Sequence, residues 1–457
     1  MKLKTKPAKR LSVKLRHEAL TTRDQIYLRR FKVLFVRLLS QGSMIMRANS
    51  SRPLLISADH REIELHNDLL GHLCAHIYKI LCIPDTDRSL WNRRLNRGID
   101  SFTDEQIKNN FHFQTRDQLW MVFRCFRVPQ RIVLDNGCVV SGEEAFLVTV
   151  FRMAWPRKLT QIEEFFGRDY SLWSRVIKFI LNFMVDFWSS LLFDNMRFWL
   201  PYLSLMHKKI VDKIRSLGYN YDIRLLGLDL DTQHHIFGFI DNTITATCRP
   251  AGGPADDGIN ARRLDALIQR AFYTGWKKLH GLKLQSIDLP NGMTFHAYGP
   301  ISCRHSDSFS FRESQIQNKL DELQENEDVK YSMYGDSAYG RGRLICARHQ
   351  GDNLTPRQIA ENKLFSSVRE CIEWGYRDIK ERWRALDYKK LLRIRNMPVG
   401  KMFAFALLLK NAHCCLNGNQ TSAYFDCLPP TLAEWTSQGP RPSAPQLPWE
   451  IEDEVDE

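Results

Sequence analysis

The residues of this chain best suited to chemistry are carboxylates that close short apolar stretches, because a strand end fixes a side chain at the rim of a sheet where a ligand can reach it. Asp241 closes HIFGFID, and Asp336 closes VKYSMYGD ahead of SAYGRGR, a small, glycine-bracketed turn that leaves space beside the acid. A third acid comes from SVRECIEWGYRDIKERW, where Val368, Ile372, Tyr376, Ile379 and Trp383 mark the buried stripe of a helix. On that helix Glu373 lies about 100° from Ile372, at the border of the buried face, and Glu370 occupies a neighbouring row. Periodicity leaves both open. Three convergent carboxylates are hard oxygen donors, suited to Mg²⁺ or Mn²⁺ and poor for zinc. Two such ions about 4 Å apart activate a water and stabilise the leaving 3′ oxygen of a phosphodiester during in-line displacement.

Other ligand sets are weaker. His72, Cys74 and His76 in GHLCAH stand at two-residue spacing on an expected helix, so their side chains fan around the axis instead of meeting at one ion. The eleven cysteines include no CxxC pair, which argues against a zinc ribbon or a thioredoxin-like motif, and their odd number argues against a complete disulfide framework. A formal net charge of +13 suits a polyanionic partner such as nucleic acid. That charge belongs to the body of the chain, since the seven basic residues of MKLKTKPAKRLSVKLR are nearly offset by the six acids of WEIEDEVDE. The basic leader lacks the apolar stretch of a secretory signal and reads as a nuclear-localisation or DNA-grazing arm, which places the protein in the nucleus. Charges interrupt the run from Val176 to Leu200 and MFAFALLL is short, so a soluble chain with no membrane span is expected.

The elements that must position these acids follow from pattern changes along the chain. Residues 1–60 read as a basic, partly helical arm and 61–221 as an all-α domain. Within the latter, LTQIEEFFG and RDYSLWSRVIKFILNFMVDFW form a short helix, a turn at Gly167 and a longer helix, with caps among Thr160, Asp169 and Ser171. This is a possible helix-turn-helix, with Asp169 to Arg175 at the groove, or an ordinary helical hairpin held by its aromatics. From 222 to about 420, LLGLDL, HIFGFID, LKLQSIDLP, MTFHAYG and VKYSMYGD read as strands, LQSIDLPNGMTFHAYG as a hairpin, and 260–272 and 365–386 as helices. Residues 421–457 read as a proline-rich linker, extended and mobile from 428, with an acidic tail.

Basic and aromatic residues interleave in YTGWKKLHGLK, so Trp276, Lys277, Lys278, His280 and Lys283 are candidates for holding a DNA backbone near the first acid. The basic residues that follow Glu373, from Lys380 to Arg395, form a second candidate surface, although charge runs on helices are usually solvated faces.

The run from about 225 to 415 resembles the nuclease domain of PIF/Harbinger-type DDE transposases and of host proteins derived from them. GFIDNT, QRAFYTGWKKLHGLKLQSIDLPNGM, YGDSAYG and CIEWGYRDIKERWRAL carry the likeness, and FHFQTRDQLWMVFRCF with LTQIEEFFG is similar to the helix-rich segment that precedes that domain. The resemblance implies an α/β ribonuclease-H-like nuclease domain preceded by an all-α helical domain, with Asp241 and Asp336 on strands and Glu373 on a later helix. It selects Glu373 over Glu370, because Glu373 stands ten residues before the Trp of ERW. Asn242 departs from the glycine common after the first acid, and His305 and Asp307 are separated where the family often has a contiguous pair. The implied activity is DNA cleavage, and in a transposase joining, with two Mg²⁺ or Mn²⁺ ions held by Asp241, Asp336 and Glu373. The implied partners are double-stranded DNA, a Myb-like DNA-binding protein and, in the active state, further copies of the chain. The alternatives are a catalytically silent, domesticated DNA-binding or protein-binding factor, and a related nuclease acting on RNA or single strands.

Overall fold

A computed structural model describes residues 97–218, 234–250, 266–394 and 396–439. The basic arm, the cluster His72, Cys74 and His76, the expected strand LLGLDL and the acidic tail lie outside the described residues. The chain divides into a unit Met1–Cys82, wholly outside the described residues, and a unit Ile83–Glu457 to which everything below belongs.

The first described half is helical: α1 (Asp104–Phe111), α2 (Arg116–Cys125), α3 (Gly142–Ala154), α4 (Leu159–Phe166) and α5 (Tyr170–Trp188) precede the short α6 (Ser190–Phe193) and α7 (Met196–Trp199) and a last helix, α8 (Leu203–Ser216). It is not purely helical as expected, because β1 (Arg131–Val133) pairs antiparallel with β2 (Val139–Ser141) between α2 and α3. Gly137 explains the hairpin: the chain turns through Asp135 and Asn136, the Gly137 amide donates to the Leu134 carbonyl at 2.8 Å, and Gly137 takes the left-handed position of a three-residue loop at φ +81°. The pair α4 and α5 forms as the pattern predicts. Gly167 ends α4 with φ +76° and donates to the Glu163 carbonyl at 2.7 Å, while Asp169 caps α5 by accepting from the Ser171 amide at 2.8 Å. Trp173, Val176, Ile177, Ile180, Met184 and Trp188 are buried along one face of α5, which ties it to the core.

Glu144, on α3, is fully buried with the Arg168 guanidinium 3.5 Å away. Burial outweighs that cation and pushes the carboxyl up from 4.5 to about 7. The folded protein therefore holds a proton that the unfolded chain releases, so the residue's contribution to stability falls as pH rises from 4.5 to about 7. The full swing is up to about 3 kcal/mol. Glu144→Gln should melt higher relative to wild type at pH 7.5 than at pH 5; a difference that does not change with pH would contradict this account.

The second half is built on a six-stranded sheet: β3 (His234–Ala246), β4 (Tyr273–Thr274), β5 (Leu279–Asp288), β6 (Thr294–Ser302), β7 (Lys330–Gly335) and β8 (Ile345–Ala347). β5 carries both β4 and β6 and pairs antiparallel with β3, which pairs parallel with β7, itself parallel to β8. β3 is thus central, and its continuous apolar run Ile236 to Ile240 is what a strand covered on both faces requires. The β5–β6 hairpin turns as expected, with Gly292 at φ +83°. α9 (Asp307–Glu313) and α10 (Ile316–Leu323) link β6 to β7. This mixed sheet with its helices is consistent with a ribonuclease-H-like DDE fold.

Two long helices close the fold. α11 (Pro356–Arg382) begins with a Thr355/Gln358 capping box and Pro356 in its first turn, nine residues before the sequence pattern placed it. α12 (Val399–Asn417) is by composition long and apolar enough to cross a membrane, and MFAFALLL is only its middle, but 83% of its most apolar window is buried inside this fold. It is the core helix. Phe146 of α3 packs edge-on against Phe405 of α12 at 6.3 Å, and Phe113 packs against Trp383 at 6.3 Å, so one apolar core serves both halves.

The linker expected from 421, extended and mobile from 428, needs correction as far as residue 439. α13 (Gln420–Tyr424) and α14 (Leu432–Thr436) are helices, and Trp435 is fully buried edge-on to Phe126 at 6.3 Å. A buried tryptophan gives this segment the apolar anchor that its prolines obscure.

Candidate active site

Asp241 does not end a strand. β3 runs on to Ala246, and Asp241 stands where parallel pairing with β7 stops, after Ile240 and Gly335, while antiparallel pairing with β5 continues. Asp336 is the residue after Gly335, so register sets Asp241 and Asp336 each one residue past the last β3–β7 pair, the first within β3 and the second just beyond the end of β7. Gly335 permits this packing: a Cβ there would lie 2.9 Å from Ile240 Cγ2 and 3.2 Å from Tyr339 Cδ2.

Each aspartate accepts from the amide of the residue that follows it. Asp336 caps the 3-10 turn Ser337–Tyr339, its Oδ1 accepting from the Ser337 amide at 2.6 Å and the Ser337 hydroxyl at 3.2 Å. Asp241 Oδ1 accepts from the Asn242 amide at 2.8 Å, and Asn242 Nδ2 donates to the Tyr339 hydroxyl at 2.7 Å, tying β3 to the turn that follows Asp336. Behind Asp241 the buried Tyr376 of α11 donates to the Asp241 carbonyl at 2.6 Å and accepts from the Ser286 amide at 3.2 Å and hydroxyl at 2.9 Å. The helix that carries the third acid is thereby locked to the strand that carries the first.

Glu373 projects from α11 with its side chain 63% exposed. It is linked to Asp241 through Arg369, one turn earlier, whose guanidinium lies 3.4 Å from Asp241 Oδ2 and 3.7 Å from Glu373 Oε1. Glu370 is exposed on another row, where its charge is felt by Tyr424.

A fourth acid belongs to this neighbourhood. Burial pushes the Asp241 carboxyl up to about 6, with the Asn242 amide and Arg369 opposing and the charges of Asp307 and Asp336 adding to the rise. Asp307 lies in the first turn of α9 and pairs with Lys283 at 2.7 Å. Its segment, RHSDS, was marked by the sequence only as a departure, and Arg369 carried no signal beyond its spacing of four from Glu373. Among the described residues no three His, Cys, Asp or Glu side chains stand close enough to hold an ion, so the acids share a rim without closing on one point. Their chemistry nonetheless fits a hard divalent cation: they are all oxygen donors, and one is partly buried beside like charges.

A cleft of about 750 Å³ opens from Asp241 and Glu373, bounded further along by Trp155, Arg377, Lys380 and Tyr388. Burial, opposed by Asp387 and aided by Lys277, holds the Lys380 ammonium below its usual value. Lys277 therefore brings the β4–β5 hairpin within electrostatic reach of the cleft.

That hairpin carries most of the candidate DNA contacts. Trp276 is 84% exposed at its tip, Lys277 Nζ lies 5.1 Å from the Trp276 ring centroid, and Lys278 is also exposed with φ +51°. His280 is half-buried against Tyr273, with ring centroids 5.1 Å apart. Lys283 must be removed from the set: it is buried, paired with Asp307 and bonded to the His305 carbonyl. Its ammonium faces inward because β5 is covered on both faces and Asp307 supplies an internal counter-charge.

No curated protein and no solved structure matches this chain. Residues 259–411, a stretch that includes Asp336 and Glu373 and excludes Asp241, match the family model of DDE superfamily endonucleases, which supports a DDE-type transposase relation for this part of the chain.

Proposed function

We propose that this chain is a DDE-type DNA endonuclease of the PIF/Harbinger kind, a transposase or a protein derived from one. The observation that carries the reading is that Asp241 and Asp336 each directly follow the last parallel pair of β3 and β7, Ile240 with Gly335, with Glu373 bridged to Asp241 by Arg369. These three carboxylates would hold two Mg²⁺ or Mn²⁺ ions, which when bound supply an activated water and charge stabilisation at the leaving 3′ oxygen. The chain's own work is positional. Asn242 and Ser337 each fix one oxygen of the aspartate before them, the other oxygen of Asp241 faces Arg369, and Tyr376 keeps α11 in step with β3.

Double-stranded DNA would lie across the cleft mouth, its backbone met by Lys277 and Lys278, with Trp276 stacked on a base left unpaired at the cut end. A Myb-like partner, self-assembly and a nuclear location belong to the same reading, supported by the resemblance and the basic leader.

Purified chain, supplied with supercoiled plasmid and Mg²⁺ or Mn²⁺, should yield nicked or linear DNA. Binding without any cleavage, with or without nuclear extract, would favour the catalytically silent factor instead. Trp276→Ala should weaken binding of a labelled duplex with a single-stranded end by about ten-fold, the worth of one lost stacking contact, without lowering the melting temperature of a chain in which this ring is exposed. Equal affinity in a titration at fixed salt would take Trp276 out of the interface.

A further inference from the structure

Arg369 is placed unlike a surface ion-pair partner. Its side chain is 22% exposed, it stands between two acids, and its contacts of 3.4 and 3.7 Å are longer than the 2.7–2.9 Å of a locked charge-assisted pair. Asp307 is matched by Lys283 at 2.7 Å, and among the ion pairs of the described residues it is Arg369 that stands against both Asp241 and Glu373.

We propose that Arg369 is the resident counter-cation of this acid cluster, and that a divalent ion binds in competition with it, the guanidinium leaving Asp241 and Glu373 as the ion enters. The inference rests on the metal-binding reading above. A positive charge this close to the acids lowers their attraction for a second cation, while in the metal-free protein it relieves repulsion among Asp241, Asp336 and Glu373. Arg369 is thus a positioning residue whose removal improves metal binding. An arginine that merely ordered the acids would act in the opposite sense, because its loss would scatter the ligands.

The test is Mn²⁺ titration of the full chain by calorimetry in the absence of DNA, with thermal melting of the same samples. Arg369→Gln should bind Mn²⁺ about ten-fold more tightly than wild type. It should also melt lower without metal and gain more on adding it. Arg369→Lys, which keeps the charge, should stay near wild type, and Arg369→Met stands in if the glutamine variant does not fold. Equal or weaker Mn²⁺ binding in the neutral variants, with wild-type binding still lost in Asp336→Asn, overturns the role of Arg369 alone. Wild-type Mn²⁺ binding that is absent, or indifferent to Asp336→Asn, overturns both this role and the metal site beneath it.

Discussion

Lys410→Met is expected to lower folding stability by about 3–5 kcal/mol, read as a fall in the denaturant midpoint. Lys410 lies inside the core helix α12, 1% exposed, with Nζ 2.8 Å from Asp288 Oδ2 and 2.8 Å from the Thr294 hydroxyl. Thr294 in turn donates to Asp288 Oδ1 at 2.8 Å, and the neighbouring Asn411 side chain bonds both the amide and the carbonyl of Thr294 at 2.9 Å. The network therefore clamps α12 to β5 and β6. Asp288 pairs with Phe239, two residues before Asp241 on β3. A Cβ at Gly375 of α11 would come within 2.3 Å of Asp288 Oδ2, so the helix bearing Glu373 packs directly on the same carboxylate.

Removing the ammonium leaves a buried, uncompensated acid, which is the costly kind of change. Asp288→Asn combined with Lys410→Met removes both charges and should recover most of the loss. A double variant as unstable as the single one would place the cost in packing instead of charge.

The sequence made some of this site legible and hid the rest for identifiable reasons. Asp336 could be found because its strand ends there and a glycine-bracketed turn follows. Asp241 was found by a similar rule applied to a strand that in fact continues; what ends at Asp241 is the pairing with β7, a property of two strands that one strand's pattern does not carry. Glu373 and Glu370 are equivalent in periodicity, and their surroundings separate them: Arg369 faces the first, Tyr424 senses the second. Lys283 resembles its neighbours Lys277 and Lys278 in sequence, yet its partner Asp307 lies 24 residues further on, past the adjoining strand β6. The β1–β2 hairpin and the buried Trp435 were masked by their settings, a helical stretch and a proline-rich tail.

The most direct measurement is single-turnover nicking of supercoiled DNA by wild type and Asp336→Asn side by side in Mg²⁺ or Mn²⁺. Asparagine is as good a cap for the turn at Ser337 as aspartate, so the variant should fold and melt like wild type. It lacks an anionic oxygen donor beside Asp241, and its cleavage rate should fall by about 10³-fold or more, on the order of 4 kcal/mol of barrier. A folded Asp336→Asn protein that nicks at the wild-type rate would contradict the account.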